Sequence, residues 1–170
     1  MSGTAHAADP ESRWYARHVG CSNAQVSLSV DVYTKAADGE MEVLEIPEGS
    51  RDLAGFESWR HSVWGSDRVR VLGAEFFPVL ATQDLYVEPG EVERFQRECA
   101  LLRANLEIVA EGIDPLNPHG ATFRMVGGRY GRHEPEDPHA TFVATVSARL
   151  ANIEYATRRA LAIGAGVVIW

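Results

Sequence analysis

QVSLSVDVYTKAADGEMEVLEIP (Gln25 to Pro47) alternates apolar and polar residues, turns, and alternates again. Val26, Leu28, Val30 and Val32 fall on one side of an extended chain, and Ser27, Ser29, Asp31 and Tyr33 on the other. Successive side chains of a strand point to opposite faces, so this pattern reads as a strand over 25–34 with one face buried. Ala37-Asp38-Gly39 carries turn chemistry, because Asp-Gly tolerates the positive φ that a tight hairpin needs. The chain returns as a second strand over 40–46, making an antiparallel hairpin.

The rest is sorted by period. Leu53, Phe56, Trp59 and Val63 recur every three or four residues, so a helix is expected over 51–64, capped by Ser50 and stopped by Gly65. Ser66 or Asp67 caps a shorter helix that runs to Gly73. Pro78 argues against a central strand in EFFPVLATQDLYVE, and Asp84 to Glu88 reads as a short strand. Pro89 and Gly90 open a long helix over 90–111, striped by Val92, Phe95, Cys99, Leu102, Leu106 and Val109. Prolines and glycines crowd residues 113–137, a long loop in which Thr122 to Val126 is a possible strand. Asp137 and Pro138 begin a helix over 138–163 with the stripe Val143, Val146, Leu150, Ile153 and Ala160. The apolar end GVVIW, 166–170, reads as a strand inserted into the sheet, since such a segment left at an open edge invites aggregation.

The expected architecture is therefore α+β: a small, mainly antiparallel sheet with helices packed on one face and the C-terminal strand in the sheet. Residues 14–170 read as one domain and residues 1–13 as a disordered tail, without the basic and apolar regions of a signal peptide. The 170 residues carry 45% hydrophobic content and a formal net charge of −8. That balance disfavours nucleic acid and anionic membrane surfaces, both of which attract positive charge. The longest apolar run, Ala160 to Trp170, is too short to span a bilayer. Cys21 and Cys99 lie outside any C-x-x-C pattern, which suits a reduced, cytoplasmic protein, with Cys99 a packing residue.

Three places could carry function. Between Asp31 and Glu57 there are eight acids and two bases. Glu40, Glu42 and Glu45 on the hairpin would form an acidic face that steers a basic protein partner, with Trp64, beside Gly65, as an exposed aromatic contact. RYGRHEPEDPHA, residues 129–140, holds His133, Glu134, Glu136, Asp137 and His139, which are oxygen and nitrogen donors of metal-ligand type. His133 and His139 are six positions apart, however, and a single helix would not put both rings on one face; acids ahead of a helix also complement its positive end. GGRYGR, residues 127–132, could cradle an anion. Glu57 and His61 stand at i, i+4, as do many surface pairs. Serine-nucleophile, phosphate-loop and dinucleotide motifs are absent from the sequence, and no cofactor is expected.

WRHSVWGSDRVRVLGAEFFPVL, DLYVE ahead of a long helix and the closing GAGVVIW together resemble small uncharacterised proteins of high-GC Gram-positive bacteria. The likeness spans about residues 14–112 and 138–170 and implies no activity. Size, acidity and the lack of catalytic motifs also look like bacterial toxin-neutralising immunity proteins. The expectation carried forward is a non-enzymatic protein-binding module, an immunity-type inhibitor in style, working through its acidic face; a homo-oligomer is compatible with it. The alternative is an enzyme or metal-binding protein centred on 113–139, with His133, Glu136 and His139 as ligands.

Overall fold

The computed structural model describes residues 27–111, 122–126, 129–133 and 137–170. The tail expected over 1–13 lies outside these residues.

The elements, in chain order, are strands β1 (Ser27–Lys35), β2 (Met41–Val43) and β3 (Leu53–Phe56), a π-helical turn at Arg60–Trp64, helix α1 (Asp67–Val71), a 3-10 turn at Phe77–Ala81, β4 (Leu85–Val87), a second 3-10 turn at Pro89–Glu91, helices α2 (Val92–Ala104) and α3 (Leu106–Ala110), strands β5 (Thr122–Val126) and β6 (Arg129–His133), helix α4 (Pro138–Ile163) and strand β7 (Gly166–Ile169). Five strands form the main sheet in the order β2-β1-β7-β4, with β3 also paired to β1. Every pairing in it is antiparallel. The α+β expectation holds, and the C-terminal strand sits between β1 and β4.

Strand alternation sets the layers. Val30 pairs with Ile169 and Val32 with Val167, and across β7 these meet Leu85 and Val87. All six are buried in one core with Val146, Leu150 and Ile153 of α4. Helix α4 packs on β1, β3 and β7, and α2 packs along α4. The two helices run antiparallel: Arg103 reaches Glu154 and Ser147, while Glu107, one turn later, reaches back to His139. Asp137 caps α4 by accepting from Ala140 N–H at 2.9 Å, as its position ahead of Pro138 implies. The expected stripes are buried, apart from Val143 and Leu106, which are half-buried. Phe142 joins them, 5.5 Å from Trp59 between ring centroids.

The opposite face of the sheet carries Asp31, Tyr33, Val168 and Trp170. Trp170 Nε1 donates to Asp31 Oδ2 at 2.9 Å, which ties the last residue to the central strand. Gly166 is opposite Tyr33, and a Cβ there would lie 2.4 Å from Tyr33 Cζ, so only glycine lets the tyrosine ring cross β7. Burial, and then the Glu88 carboxylate, push the Tyr33 phenol up to about 12.

Asp31 is 9% exposed. Burial raises its pKa above the ordinary 3.8; the Trp170 hydrogen bond counters that in part, and the Asp52 charge adds to it. A carboxyl whose folded pKa is raised binds its proton more tightly when folded. Stability gained below its unfolded pKa is therefore lost as pH rises through the folded pKa. Asp31→Asn keeps an acceptor for Trp170 and removes the buried charge. Its stability relative to the parent is expected to climb as pH rises from about 4 and then level off. Urea unfolding across the pH range measures this, and a difference that stays flat with pH would contradict it.

Three expectations are corrected. Residues 53–56 form a strand where a helix over 51–64 was expected. Ser27 pairs with Phe56 and Leu28 with Gly55, so β3 completes the open edge of β1 that β2 leaves uncovered. Gly55 adopts φ +140, which no helix contains, and a Cβ on it would stand 2.7 Å from Trp59 Cε3. Ser50 accordingly caps no helix. The helix expected over 90–111 breaks at Asn105, whose φ of −125 and ψ of 30 leave the helical region. Within the long loop the possible strand at Thr122 to Val126 is present as β5, and it pairs with a strand that was not expected, β6, from Thr122↔His133 to Val126↔Arg129. Arg129 to Arg132, read as part of an anion-cradling loop, lie in β6, and Gly127 and Gly128 lie outside the described residues.

Candidate functional site

The acidic hairpin is built by turn and register. Asp38 accepts from Glu40 N–H at 3.0 Å and closes the turn. Ala36 N–H donates to Glu40 O, and Leu44 N–H to Val32 O, both at 2.8 Å. Antiparallel hydrogen bonding alternates, so the backbone groups of Met41 and Val43 point away from β1, toward the open edge. Glu40, Glu42 and Glu45 are exposed along this edge, and so is Glu48. None of the four makes an ion pair among the described residues. Several carboxylates elsewhere are paired: Glu57 and Asp84 with Arg60, Glu75 and Glu91 with Arg94, Glu88 with Lys35, Glu154 with Arg103; among the same described residues Asp52, Glu93 and Glu111 are unpaired as well. Beside the edge, Ile46 is 42% and Tyr155 40% exposed. Both line a cleft of about 20 Å³, room for a water at most.

Trp64 does not join this face. It was expected to be the exposed tryptophan and is fully buried. Its Nε1 donates to Ala54 O at 2.9 Å. The π-helical turn carries the ring under β3, where it meets Trp59 at 5.8 Å and Phe77 at 5.4 Å between centroids. From Phe77 the aromatic chain continues to Phe95 at 5.2 Å. Adjacency to Gly65 signalled a helix end; it carried no information on which way the ring turns.

The metal-ligand set is only partly described. His133 ends β6, and Glu134 and Glu136 lie outside the described residues. His139, in the first turn of α4, has Nε2 3.0 Å from Glu107 Oε2 of α3. Among the described residues no three His, Cys, Asp or Glu side chains are grouped to hold an ion. Glu57 pairs with Arg60 at 2.7 Å, one residue short of the expected His61. Cys99 is 1% exposed; burial, then the Glu154 charge, push its thiol up to about 12, so it is a packing residue and no nucleophile at neutral pH.

One buried carboxylate escaped sequence reasoning. Glu98 lies on the inner face of α2, 8% exposed, and receives backbone N–H bonds from Glu75, Phe76 and Phe77 at 2.6–3.0 Å. It thereby caps the 3-10 turn at Phe77–Ala81 from another element. Its position three residues after Phe95 and four before Leu102, within the apolar stripe, was the available signal.

No protein-family model matches this chain, and no curated protein or solved structure does either. Among the described residues, no helix is long and apolar enough to cross a membrane.

Proposed function

We propose that this protein is a non-enzymatic binding module whose acidic hairpin docks a basic protein partner. The reading is supported above all by the four glutamates of the β2 edge, which stay exposed and unpaired while carboxylates over much of the rest of the surface are engaged. A same-sign patch of this kind accelerates encounter with a cation-rich surface. The outward backbone groups of Met41 and Val43 give an incoming extended segment hydrogen-bond partners, and Ile46 and Tyr155 give it apolar contact. An immunity-type inhibitor, which must meet its target fast, is one role for such a surface.

The test begins with the untagged chain as bait in native lysate, followed by association kinetics with the recovered partner. Glu40, Glu42 and Glu45 changed together to lysine should lower the on-rate at low salt by roughly tenfold or more. The off-rate should change far less, and the gap between variant and parent should close as salt is raised. Identical on-rates at low salt would overturn the docking face.

A further inference from the structure

Strands β5 and β6 form a sheet of their own, with one pairing and two open outer edges. A two-stranded ribbon is marginal in water and needs a third strand or a helix to hold it. Among the described residues, β5 and β6 pack extensively only on each other. The two strands hold Arg124, Arg129, Arg132 and His133 and no acid, in a chain of net charge −8. Strand β2 offers the reverse: an outer edge of the main sheet beside which Glu40, Glu42, Glu45 and Glu48 are exposed and make no ion pair among the described residues.

One copy of the chain does not bring the two together. Strand β2 lies at the C-terminal end of α4, because Gly166, just past the Gly164 cap, pairs with Tyr33, and Tyr33 pairs with Val43. The β5–β6 hairpin enters α4 at the opposite end, through Asp137. The 26 residues of α4 carry the chain about 39 Å, at about 1.5 Å per residue. Back from Asp137, fully extended chain places His133 within about 14 Å and Arg129 within about 28 Å, at about 3.5 Å per residue. Strand β6 therefore does not lie along β2 of its own chain.

Taking the acidic edge as the docking face that the proposed function requires, we propose that its basic partner is a second copy of this chain, whose β6 adds to β2 as the next strand of the main sheet. Two-fold symmetry makes the exchange reciprocal: each copy gives its hairpin and receives the other's, and the contact closes as a dimer. The union gives the ribbon its third strand, and it gives the outward backbone groups of Met41 and Val43 a hydrogen-bonded neighbour. Opposite charge sets the choice of partner, since three arginines meet an edge of glutamates.

Sedimentation equilibrium of the full chain tests this. At low salt a monomer–dimer equilibrium is expected, mostly dimer at about 100 µM chain. The dimer constant should fall by about tenfold or more as salt rises to about 0.5 M. Arg124, Arg129 and Arg132 changed together to glutamate should weaken the dimer by about 100-fold or more, and so should Glu40, Glu42 and Glu45 changed together to lysine. Mixing the two variants should restore a one-to-one heterodimer, because each reversed surface then meets its opposite. Should the arginine variant fail to fold, Arg129→Ala combined with Arg132→Ala is expected to weaken the dimer by about tenfold. A parent that stays monomeric to about 200 µM at low salt, or a dimer left intact by either reversal, sinks the proposal. A monomeric parent whose glutamate-to-lysine variant still meets a different basic protein more slowly removes the self-docking alone and leaves the acidic edge standing. A monomeric parent whose variant meets every recovered partner at the parent's rate removes both.

Discussion

Glu98→Ala is expected to destabilise the protein by about 3–5 kcal/mol, because three backbone donors lose one charged acceptor and a hydrogen bond to a charged group is worth about 1.5–3 kcal/mol. The N–H groups of Glu75, Phe76 and Phe77 would lose their shared acceptor at once. They sit where the chain leaves α1 and enters the turn before β4, so the loss falls on the join between the sheet and the helical layer. For a chain of this size the melting temperature should drop by roughly 10 °C. Glu98→Gln keeps the shape and one accepting oxygen but presents an N–H₂ to a donor, and should lose about 1–3 kcal/mol. Urea unfolding with an unchanged slope is the measurement. A loss below about 1 kcal/mol for the alanine variant would mean that water replaces the carboxylate, and the capping role would fall.

Trp64→Ala is expected to cost a similar amount, about 3–5 kcal/mol, because it empties the volume between β3 and the Phe77 ring. Trp64→Phe retains most of the apolar contact and loses the donor to Ala54 O, for roughly 1–2 kcal/mol. The pair also decides between two positions of the residue. An exposed tryptophan at the end of a short helix would lose about 0.5 kcal/mol or less on truncation. A small effect of Trp64→Ala on the urea midpoint would return the ring to the surface and to the docking face.

The contrast between Trp64 and the hairpin glutamates shows which parts of the candidate site were legible. Glu40, Glu42 and Glu45 follow a turn at the end of a sheet; only Glu42 lies on β2, and all three are exposed because this end of the sheet is uncovered. Trp64 obeys a contact made ten residues away, with Ala54, and only the path of β3 determines it. Glu98 is an intermediate case: a lone acid in an apolar stripe points to a buried role, while its three partners, 21 to 23 positions back, do not.

Period alone determined the β1–β2 hairpin, the long α4 with its Asp137 cap, and the apolar C-terminal strand, because hydrogen bonding and side-chain direction within such elements depend on residues a few positions apart. Tertiary structure alone decided that Leu53 to Phe56 pair with β1. Leu53, Phe56, Trp59 and Val63 carry a helical period, yet the open edge of a buried strand needs backbone partners, and Gly55 at φ +140 can supply them where a helix cannot. A local preference of a few tenths of a kilocalorie per residue yields when unpaired backbone groups would otherwise be buried. The same reason governs Glu98 and Trp64: what a polar atom in the interior must find is set by what surrounds it after folding, and neighbours in the chain do not specify that.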